Sequence, residues 1–390
     1  MSQACSTAVL IVGGGIAGLW LNARLRQQGF STVLVEQHTL GGGQTVKSQG
    51  IIHGGTKYAL QGALTGASEA IADMPSRWRA ALSGQGEIDL SPVRCLSEAH
   101  YLWSPGSLAG NLTSFFASKA VRSRVSAAKG EDLPPALQNP KFKGKAYRLS
   151  ELVLDVPSLI QRLAELAGDS LWQAQSCTPL WQENQLVGLS LDGVDIHAQR
   201  VVLCAGEGTA DLLSAFGQSL PQMQRRPLHM VMVKSAALKP LYAHCLGAGS
   251  KPRITVTSHP AHDGEWVWYL GGLLAESEGV ARDSAAQIHF AQAELAQLVP
   301  WIDLSQAHWA TLRVDRAEPA QSSGARPDNA FLHCQNQLFT AWPTKLALAP
   351  DLSDRVIESL QVQGIQPQPH PALPAHPKPG VAPAFWEGLV

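Results

Sequence analysis

A glycine-rich turn between an apolar run and a helix-like segment constrains the fold of this chain more than any other feature. The apolar run begins at Val9 and leads into Gly13, Gly15 and Gly18, which have the spacing G-x-G-x-x-G. A predicted helix follows, and a second apolar run closes the unit at Glu36. This order of strand, turn, helix, strand and acidic residue is typical of the βαβ unit that binds a dinucleotide.

Each residue of this unit has its own physical reason. Gly13 permits the tight turn, Gly15 lets the backbone approach a pyrophosphate, and Gly18 lets the helix pack closely on the strand. The helix N-terminus offers unpaired N–H groups and the positive end of its dipole to the phosphates. Glu36 can accept hydrogen bonds from both ribose hydroxyls, and because its carboxylate repels a 2′-phosphate, NADP is disfavoured.

Composition narrows the function classes. The 390 residues suggest two or three domain-sized units. The chain has 30 Lys+Arg and 31 Asp+Glu, so its formal charge is -1. This net charge does not attract the protein to nucleic acid or to an anionic membrane. The six cysteines follow no ligand spacing, which predicts a reducing compartment and no structural metal. No apolar run reaches about 18 residues, so no transmembrane segment is predicted and we expect a cytoplasmic protein.

The rest of the chain alternates between two kinds of pattern. A helix is predicted from Asp155 to about Ala167, followed by strands at 173–177, 186–191 and 201–205. From Arg225 alternating strands appear at 228–233, 253–258 and 266–270, with a helix near 285–298. A strand at 336–341 and a helix to about Gln361 follow, and residues 366–383 form a Pro-rich stretch that we expect to be extended or disordered.

Five segments together resemble one family. They are the unit at 9–36, the loop Ser48–Gly55, the helix that begins at Asp155, the strand Val201–Gly208 and the block Trp309–Pro350. Over roughly residues 5 to 360 the chain resembles the D-amino-acid oxidase and glycerol-3-phosphate dehydrogenase superfamily of FAD proteins. The resemblance implies FAD as cofactor. It also implies an α/β, Rossmann-like FAD-binding domain of the glutathione reductase type 2 class and an α+β substrate domain with a mainly antiparallel sheet.

In this division, residues 1–85, 145–224 and 305–365 form a discontinuous FAD-binding domain. Residues 86–144 and 225–304 form the substrate domain, and 366–390 form a Pro-rich tail. The residues expected to bind the cofactor are Gly13, Gly15, Ile16, Ala17, Gly18, Glu36, Gln37, Gly43, Gln44, Thr45, Ser48, Gln49, Gly50, Ile52, Ala205, Gly206, Trp342, Thr344, Lys345 and Leu346.

The loop after the fingerprint favours a hydroxyl substrate. Its sequence around His53 resembles the loop of glycerol-3-phosphate dehydrogenases and L-2-hydroxyglutarate oxidases more than that of the amine oxidases. In the glycerol-3-phosphate enzymes a basic residue and a Tyr at the places of Lys57 and Tyr58 hold the substrate phosphate. The basic residue here is Lys where those enzymes usually have Arg, and Lys lacks the bidentate fork. His53 is expected to hydrogen-bond the flavin, and in some relatives a His near this place is attached to it covalently.

Further substrate and catalytic residues follow from the same resemblance. The segment Trp309–Arg313 resembles the family motif W-A-G-x-R-P, so Arg313 is expected to clamp the substrate anion over the flavin, with Arg316 and Arg326 as alternatives. Thr311 and Val314 depart from the motif. Lys345 is expected at the flavin N1 and O2 edge, where it would stabilise the reduced anionic flavin, although the relatives usually have glycines around Trp342.

A proton acceptor is expected for the oxidation of a C–OH centre. His229 falls where the glycerol-3-phosphate enzymes keep a histidine, and an imidazole suits this role. His259 and Tyr269 on neighbouring strands are weaker candidates.

We therefore predict an FAD-dependent dehydrogenase or oxidase that transfers hydride from a small anionic substrate, a 2-hydroxy acid or glycerol-3-phosphate-like polyol phosphate, to flavin N5. The first alternative is an amine or amino-acid oxidase of the same fold. A second is a non-catalytic, flavin-bearing partner subunit. A third, RNA modification, depends on the basic segment Lys119–Arg148 alone. The electron acceptor, which is oxygen, a quinone or a protein, stays open.

Overall fold

The computed structural model describes residues 5–54, 71–105, 125–247, 251–322, 324, 327, 329–370 and 373–390. Within these residues the chain forms two eight-stranded sheets and one three-stranded sheet. The helices are α1 Ile16–Gln27, α2 Met74–Leu82, α3 Val156–Ala167, α4 Thr209–Ala215, α5 Glu278–Ala281, α6 Ser284–Leu298 and α7 Ala349–Val362. The strands are β1 Cys5–Val12, β2 Thr32–Glu36, β3 Ile51–Ile52, β4 Cys95–Ser97, β5 His100–Ser104, β6 Val125–Ala128, β7 Lys145–Leu149, β8 Leu152–Leu154, β9 Leu171–Gln173, β10 Cys177–Gln182, β11 Gln185–Leu191, β12 Val194–Leu203, β13 Met223–Ser235, β14 Ala243–Leu246, β15 Pro252–Pro260, β16 Trp266–Gly271, β17 His308–Pro319, β18 Phe331–Gln335 and β19 Leu338–Trp342.

The first sheet is built around the fingerprint strand. Strand β1 lies between β12 and β2, parallel to both, β9 pairs with the outer side of β2, and β19 runs parallel to β12. Residues Ala8–Val12 of β1 are buried, as expected for a strand covered on both faces. Helices α1, α3 and α7 pack together on one face, so the predicted βαβ unit and its parallel neighbours are present.

Helix α3 begins where the sequence predicts. The Asp155 carboxylate accepts a hydrogen bond from the N–H of Ser158 at 3.2 Å, and Pro157 lies in the first turn, where its missing N–H has no partner to lose. The predicted strand at 173–177 is wrong. Instead, β9 ends at Gln173 and β10 begins at Cys177, because Gln175 and Ser176 turn the chain by donating their N–H groups to Asp192.

The second sheet is antiparallel except where β14 runs parallel to β5. Its strand order is β17-β13-β16-β15-β14-β5-β7-β6. Strands β13 and β17 pair along their whole length, from Met223 opposite Pro319 to Lys234 opposite His308. Strands β17 and β7, which the expected division places in the FAD-binding domain, hydrogen-bond to this sheet and not to the first one.

The Pro-rich stretch is extended and packed. We call residues 373–390 the strap. In its middle part, Val381 forms a parallel bridge with Leu40, and the strap exchanges hydrogen bonds of 2.8 and 3.0 Å with the backbone of Leu40. Towards its C-terminal end, Trp386 is 3% exposed and stacks on His259 of β15 at 4.3 Å. The strap therefore contacts the loop after β2 and strand β15, and of the two expected states, extended or disordered, its described residues have the extended one.

No helix among the described residues has both the length and the apolar character that a membrane crossing requires.

Candidate functional site

A pocket of about 980 Å³ extends from the glycine-rich turn to the face of the second sheet. Its outer end is lined by the turn after β1 and by Glu36 at the end of β2. Its inner end is lined by His53, His244 and Thr255 and by residues of β13 and β17. Because the two sheets contribute opposite walls, a long ligand in this pocket would contact both.

The fingerprint turn has the geometry that a pyrophosphate needs. Gly13 has φ +113°, and a Cβ there would lie 2.5 Å from the carbonyl oxygen of Cys204. A Cβ on Gly18 would overlap the carbonyl oxygen of Gly13, so the close contact of α1 with the turn depends on glycine. The Thr45 hydroxyl accepts the N–H of Ile16 at 3.0 Å. Gly15 lines the pocket at the N-terminus of α1, where the dipole favours an anion.

The polar atoms around the turn also fit a dinucleotide. Glu36 accepts the N–H groups of Gly14 at 2.7 Å and His38 at 2.9 Å, which fixes its carboxylate at the pocket wall. The Gln44 amide nitrogen and the Ser48 hydroxyl are buried, line the pocket and find no hydrogen-bond partner within the described residues. Buried polar groups are normally paired, so these two atoms indicate a polar ligand.

Most of the residues predicted to bind the cofactor line this pocket. Gly18 and Ile52 do not, since Gly18 packs against Gly13 and Ile52 is buried in the core. The pocket residues are Gly13, Gly15, Ile16, Ala17, Glu36, Gln37, Gly43, Gln44, Thr45, Ser48, Gln49, Gly50, Ala205, Gly206, Trp342, Thr344, Lys345 and Leu346.

The turn after β19 also lines the pocket. The Trp342 indole N–H donates to the carbonyl of Gly206 at 3.3 Å. Thr344 has φ +59°, a strained conformation for a β-branched residue, and its hydroxyl donates to the carbonyl of Asn329 at 3.0 Å. Lys345 is only 7% exposed and lines the pocket. Glycine would adopt this turn without strain, whereas Thr344 adopts it with a hydrogen bond from its hydroxyl.

His229 does not reach the pocket. Side chains alternate along a strand, and Leu228 and Met230 of β13 line the pocket while His229 lies on the other face. Its Nδ1 is 3.0 Å from the carbonyl oxygen of Gly279, and burial lowers the pKa of His229. This placement speaks against the expected role as proton acceptor.

Arg313 also lies on the outer face of its strand. Its guanidinium donates to the carbonyl oxygens of Val280 at 2.9 Å and Arg282 at 2.7 Å. On the same strand, Val314 and Arg316 line the pocket. Strand alternation thus turns Arg313 away from the pocket, whereas Arg316, the alternative given by the sequence, lines it.

Arg316 lies in a polar corner of the pocket. One of its guanidinium nitrogens is 3.8 Å from a carboxylate oxygen of Glu276, and its Nε donates to the carbonyl of Arg226 at 3.3 Å. Burial alone would raise the pKa of Glu276. The Lys251 ammonium, 3.1 Å from the Glu276 carboxylate, and the Arg316 guanidinium outweigh burial and hold that pKa below its usual range. Nearby, Glu318 pairs with Arg226, and Glu318 also lines the pocket.

The other candidates stay outside the site or outside the described residues. His259 is buried beneath Trp386, and the Tyr269 hydroxyl donates to the carbonyl of Lys47 at 3.1 Å. Neither side chain lines the pocket. Lys57, Tyr58 and Arg326 lie outside the described residues, so their predicted roles stay predictions.

Sequence reasoning missed a cluster at the inner end of the pocket. His53, Glu151 and His244 each bring a nitrogen or oxygen atom to within 4.8 Å of the other two, and this group has ligand atoms that could hold a metal ion. Although burial opposes ionisation, His53, His100 and the N–H of Gly54 hold the pKa of Glu151 below its usual range. The loop motif indicated His53 alone, because Glu151 and His244 lie far from it in the chain and belong to no local motif.

Comparisons with known proteins are consistent with a pocket that binds a dinucleotide cofactor. The model of the family of FAD-dependent oxidoreductases called DAO matches residues 8–341. A probable FAD-dependent oxidoreductase of Pseudomonas aeruginosa is 70% identical over 387 residues, which is 99% of each chain. The crystal structure of the FAD-dependent oxidoreductase of that organism has a TM-score of 0.90 at 63% identity and covers 100% of this chain and 99% of its own. Glycine oxidase from Geobacillus kaustophilus has a TM-score of 0.67 at 18% identity and covers 92% of this chain and 95% of its own.

Proposed function

This chain belongs to the DAO family of FAD-dependent oxidoreductases, and from that premise we propose that it oxidises a small anionic 2-hydroxy acid or polyol phosphate. FAD and oxidoreductase activity, both expected from the sequence, are thereby confirmed. Bound FAD supplies the acceptor for a hydride at flavin N5. The chain's own residues must bind the substrate anion, orient the reacting carbon and hydrogen-bond the heteroatom.

The observation that carries this proposal is the presence of Arg316 in the lining of the pocket, beside Glu276. A guanidinium fits a carboxylate or phosphate through two parallel N–H···O bonds. Its ion pair with Glu276 is long, at 3.8 Å, so a substrate anion can take over part of that contact at modest cost. Lys345 adds a second cation to the same pocket, which favours an anion over a neutral substrate.

The inner cluster supports a hydroxyl substrate over an amine. His53 and His244 line the pocket, and the buried carboxylate of Glu151 lies 3.4 Å from the Nδ1 of His53. A hydroxyl group must lose its proton when the carbon gives up hydride, so polar partners at this position help. An amine substrate needs only to arrive uncharged, and it gains less from this cluster.

Amine or amino-acid oxidation is the second candidate. The fold likeness to glycine oxidase favours it, because the name of that enzyme states an amine substrate. At 18% identity the likeness concerns the fold, so this candidate ranks below the hydroxyl substrate.

Anaerobic reduction of the bound flavin tests the proposal. The purified protein is mixed with 2-hydroxy acids, glycerol 3-phosphate, D- and L-amino acids and glycine derivatives, and flavin absorbance near 450 nm is followed. We expect hydroxyl compounds alone to bleach the flavin. Bleaching by amines alone would contradict the proposal and favour the second candidate, amine or amino-acid oxidation. A flavin that dithionite reduces but no compound of the panel reduces would favour a non-catalytic partner subunit and contradict the proposal.

Two arginine variants identify the anion-binding residue. Arg316→Ala should raise the substrate concentration for half-maximal bleaching by about 10- to 100-fold, since a hydrogen bond to a charged group contributes about 1.5–3 kcal/mol. Arg313→Ala is the matched control, because the same substitution on the outer face of the same strand leaves the pocket unchanged. An equal effect of both variants would contradict the assignment to Arg316.

A further inference from the structure

The inner cluster is assembled by the strand register. Strand β3 pairs antiparallel with β8, Ile52 opposite Leu152, so His53 and Glu151 follow as neighbours across the end of this ladder. His244 comes from β14 of the second eight-stranded sheet. Three separate elements thus bring two imidazoles and one carboxylate together, with ligand atoms all within 4.8 Å of one another.

The carboxylate of this cluster is a buried charge. Glu151 is 1% exposed and His244 is 2% exposed. Among the described residues, no lysine or arginine forms an ion pair with Glu151, and His53 is the only ion-pair partner found. A buried carboxylate is costly unless a cation or several hydrogen bonds compensate it, and in this structure the N–H of Gly54 and the imidazoles of His53 and His100 surround the Glu151 carboxylate and lower its pKa.

The outer contacts hold the three side chains in place. The N–H of Gly54 donates to one oxygen of Glu151 at 3.0 Å, while the other oxygen lies 3.4 Å from the Nδ1 of His53. The Nδ1 of His244 is 2.8 Å from the hydroxyl oxygen of Thr255, and this contact fixes the orientation of the imidazole ring. Metal-binding histidines and carboxylates typically have such second contacts, because these fix the orientation of the ligand atom.

We propose that His53, Glu151 and His244 bind one divalent transition-metal ion, with Zn²⁺ the first candidate. Two imidazoles and a carboxylate are a common ligand set for catalytic Zn²⁺, which keeps at least one further position open. Because His53 and His244 line the pocket, the open positions face the place of the substrate.

If the protein oxidises 2-hydroxy acids, as proposed above, these acids are the class of ligand that the metal ion would bind. A 2-hydroxy acid offers a hydroxyl and a carboxylate oxygen that together chelate one metal ion. Coordination lowers the pKa of the hydroxyl, which is the help that a hydroxyl substrate needs. This second part of the proposal rests on the proposed function, whereas the metal site itself does not.

Metal binding to the FAD-loaded protein tests the site without any turnover. The protein is stripped with a chelator and dialysed against graded Zn²⁺, and bound zinc and flavin are measured for each sample. We expect one zinc per chain with a dissociation constant in the micromolar range or below. Binding weaker than about 1 mM at pH 7.5 would overturn the site.

Variants and a probe ligand complete the experiment. Glu151→Gln and His244→Asn should each weaken zinc binding at least 10-fold, while the flavin content and melting temperature show that they fold. His262→Asn is the control, because this side chain is 91% exposed and lies outside the cluster. Unchanged binding in Glu151→Gln and His244→Asn, or an equal loss in the control, would overturn the assignment.

Oxalate, which carries no hydrogen that could leave as hydride, probes the open positions. We expect oxalate to perturb the flavin absorbance of the zinc-loaded protein and not of the stripped protein. Zinc binding without an oxalate effect would overturn the ligand class and leave the metal site standing. Since neither measurement uses the substrate panel, failure of the metal site and failure of the proposed function are distinguishable.

Discussion

At position 18 the space for a side chain is smaller than a methyl group. A Cβ there would overlap the carbonyl oxygen of Gly13, in the turn that faces the pocket. Neither atom can move without shifting α1 along β1, because both belong to the backbone. The third glycine of the motif therefore acts on packing and only indirectly on the ligand.

We expect Gly18→Ala to destabilise the protein by about 1–3 kcal/mol through overpacking and to weaken FAD binding by displacing the helix N-terminus. Chemical denaturation and flavin content after gel filtration measure the two effects. Gly388→Ala is the control, since nothing lies within 4 Å of a Cβ at that position. A Gly18→Ala protein with normal stability and flavin content would contradict this account.

His259 makes the stability depend on pH. Burial lowers the pKa of this imidazole from 6.5 to about 4, and the nearby carboxylate of Asp155 raises it only in part. The unfolded chain binds the proton more tightly than the folded chain, so stability falls as the pH drops from 6.5 towards 4. The loss amounts to about 3 kcal/mol below pH 4.

Urea denaturation at pH 7, 5.5 and 4.5 checks this expectation. The wild type should lose more stability over this range than His259→Asn, by about 2–3 kcal/mol. His262→Asn, which changes an exposed imidazole, should keep the slope of the wild type. Equal slopes for all three proteins would show that His259 does not titrate as described.

The strap is the element that links the two large sheets from outside. Its middle part bonds to Leu40 beside the glycine-rich loop, and Trp386 is buried against the second sheet. His376 stacks on Trp172 at 4.1 Å, and its Nε2 is 2.8 Å from the carbonyl oxygen of Leu171, which adds a third anchor. These contacts extend from the loop at Leu40 to the core of the second sheet.

We expect Trp386→Ala to cost about 3–5 kcal/mol of stability, since the whole side chain is lost from a packed core. FAD should also dissociate faster, because the strap supports the loop at Leu40. Fluorescence of released flavin and urea denaturation measure both changes. Trp181→Ala, at a tryptophan that is 48% exposed, is the control and should change neither by much. Equal losses in the two variants would contradict a special role of the strap.

The sequence predicts where helices and strands begin and end better than it predicts which of their side chains line the pocket. Helices α3 and α6 begin and end within about two residues of the predicted bounds, because caps and apolar periodicity mark them. On β13 the alternation was visible, but the side that meets the pocket was chosen wrongly for His229. The pocket side has Leu228 and Met230, as expected for a site whose ligand has a large apolar ring.

At the scale of the whole molecule, the pocket joins parts that the sequence keeps apart. Its lining runs from Val12 to Leu346 and includes both eight-stranded sheets. The fingerprint half was predictable because its residues are local and each has a fixed spacing. The inner half was not, since His53, Glu151 and His244 meet only through the register of three strands.

A ligand held between two sheets stabilises the assembly that binds it. We expect the melting temperature of the flavin-free protein to rise steadily with added FAD, by an amount equivalent to about 2.7 kcal/mol when FAD is at 100 times its dissociation constant. Differential scanning fluorimetry against FAD concentration measures this, with AMP as the control that fills the nucleotide end alone. A melting temperature independent of FAD would contradict a pocket shared by both sheets.

The bridge between Leu40 and Val381 has a further consequence for biosynthesis. Leu40 leaves the ribosome long before Val381 is made, so the loop at the nucleotide end of the pocket stays without its outer support during most of translation. Strand β19, which runs parallel to β12 in the first sheet, also comes late in the chain. During synthesis, the loop at Leu40 therefore has no strap contact until residues 380–382 have been added to the chain.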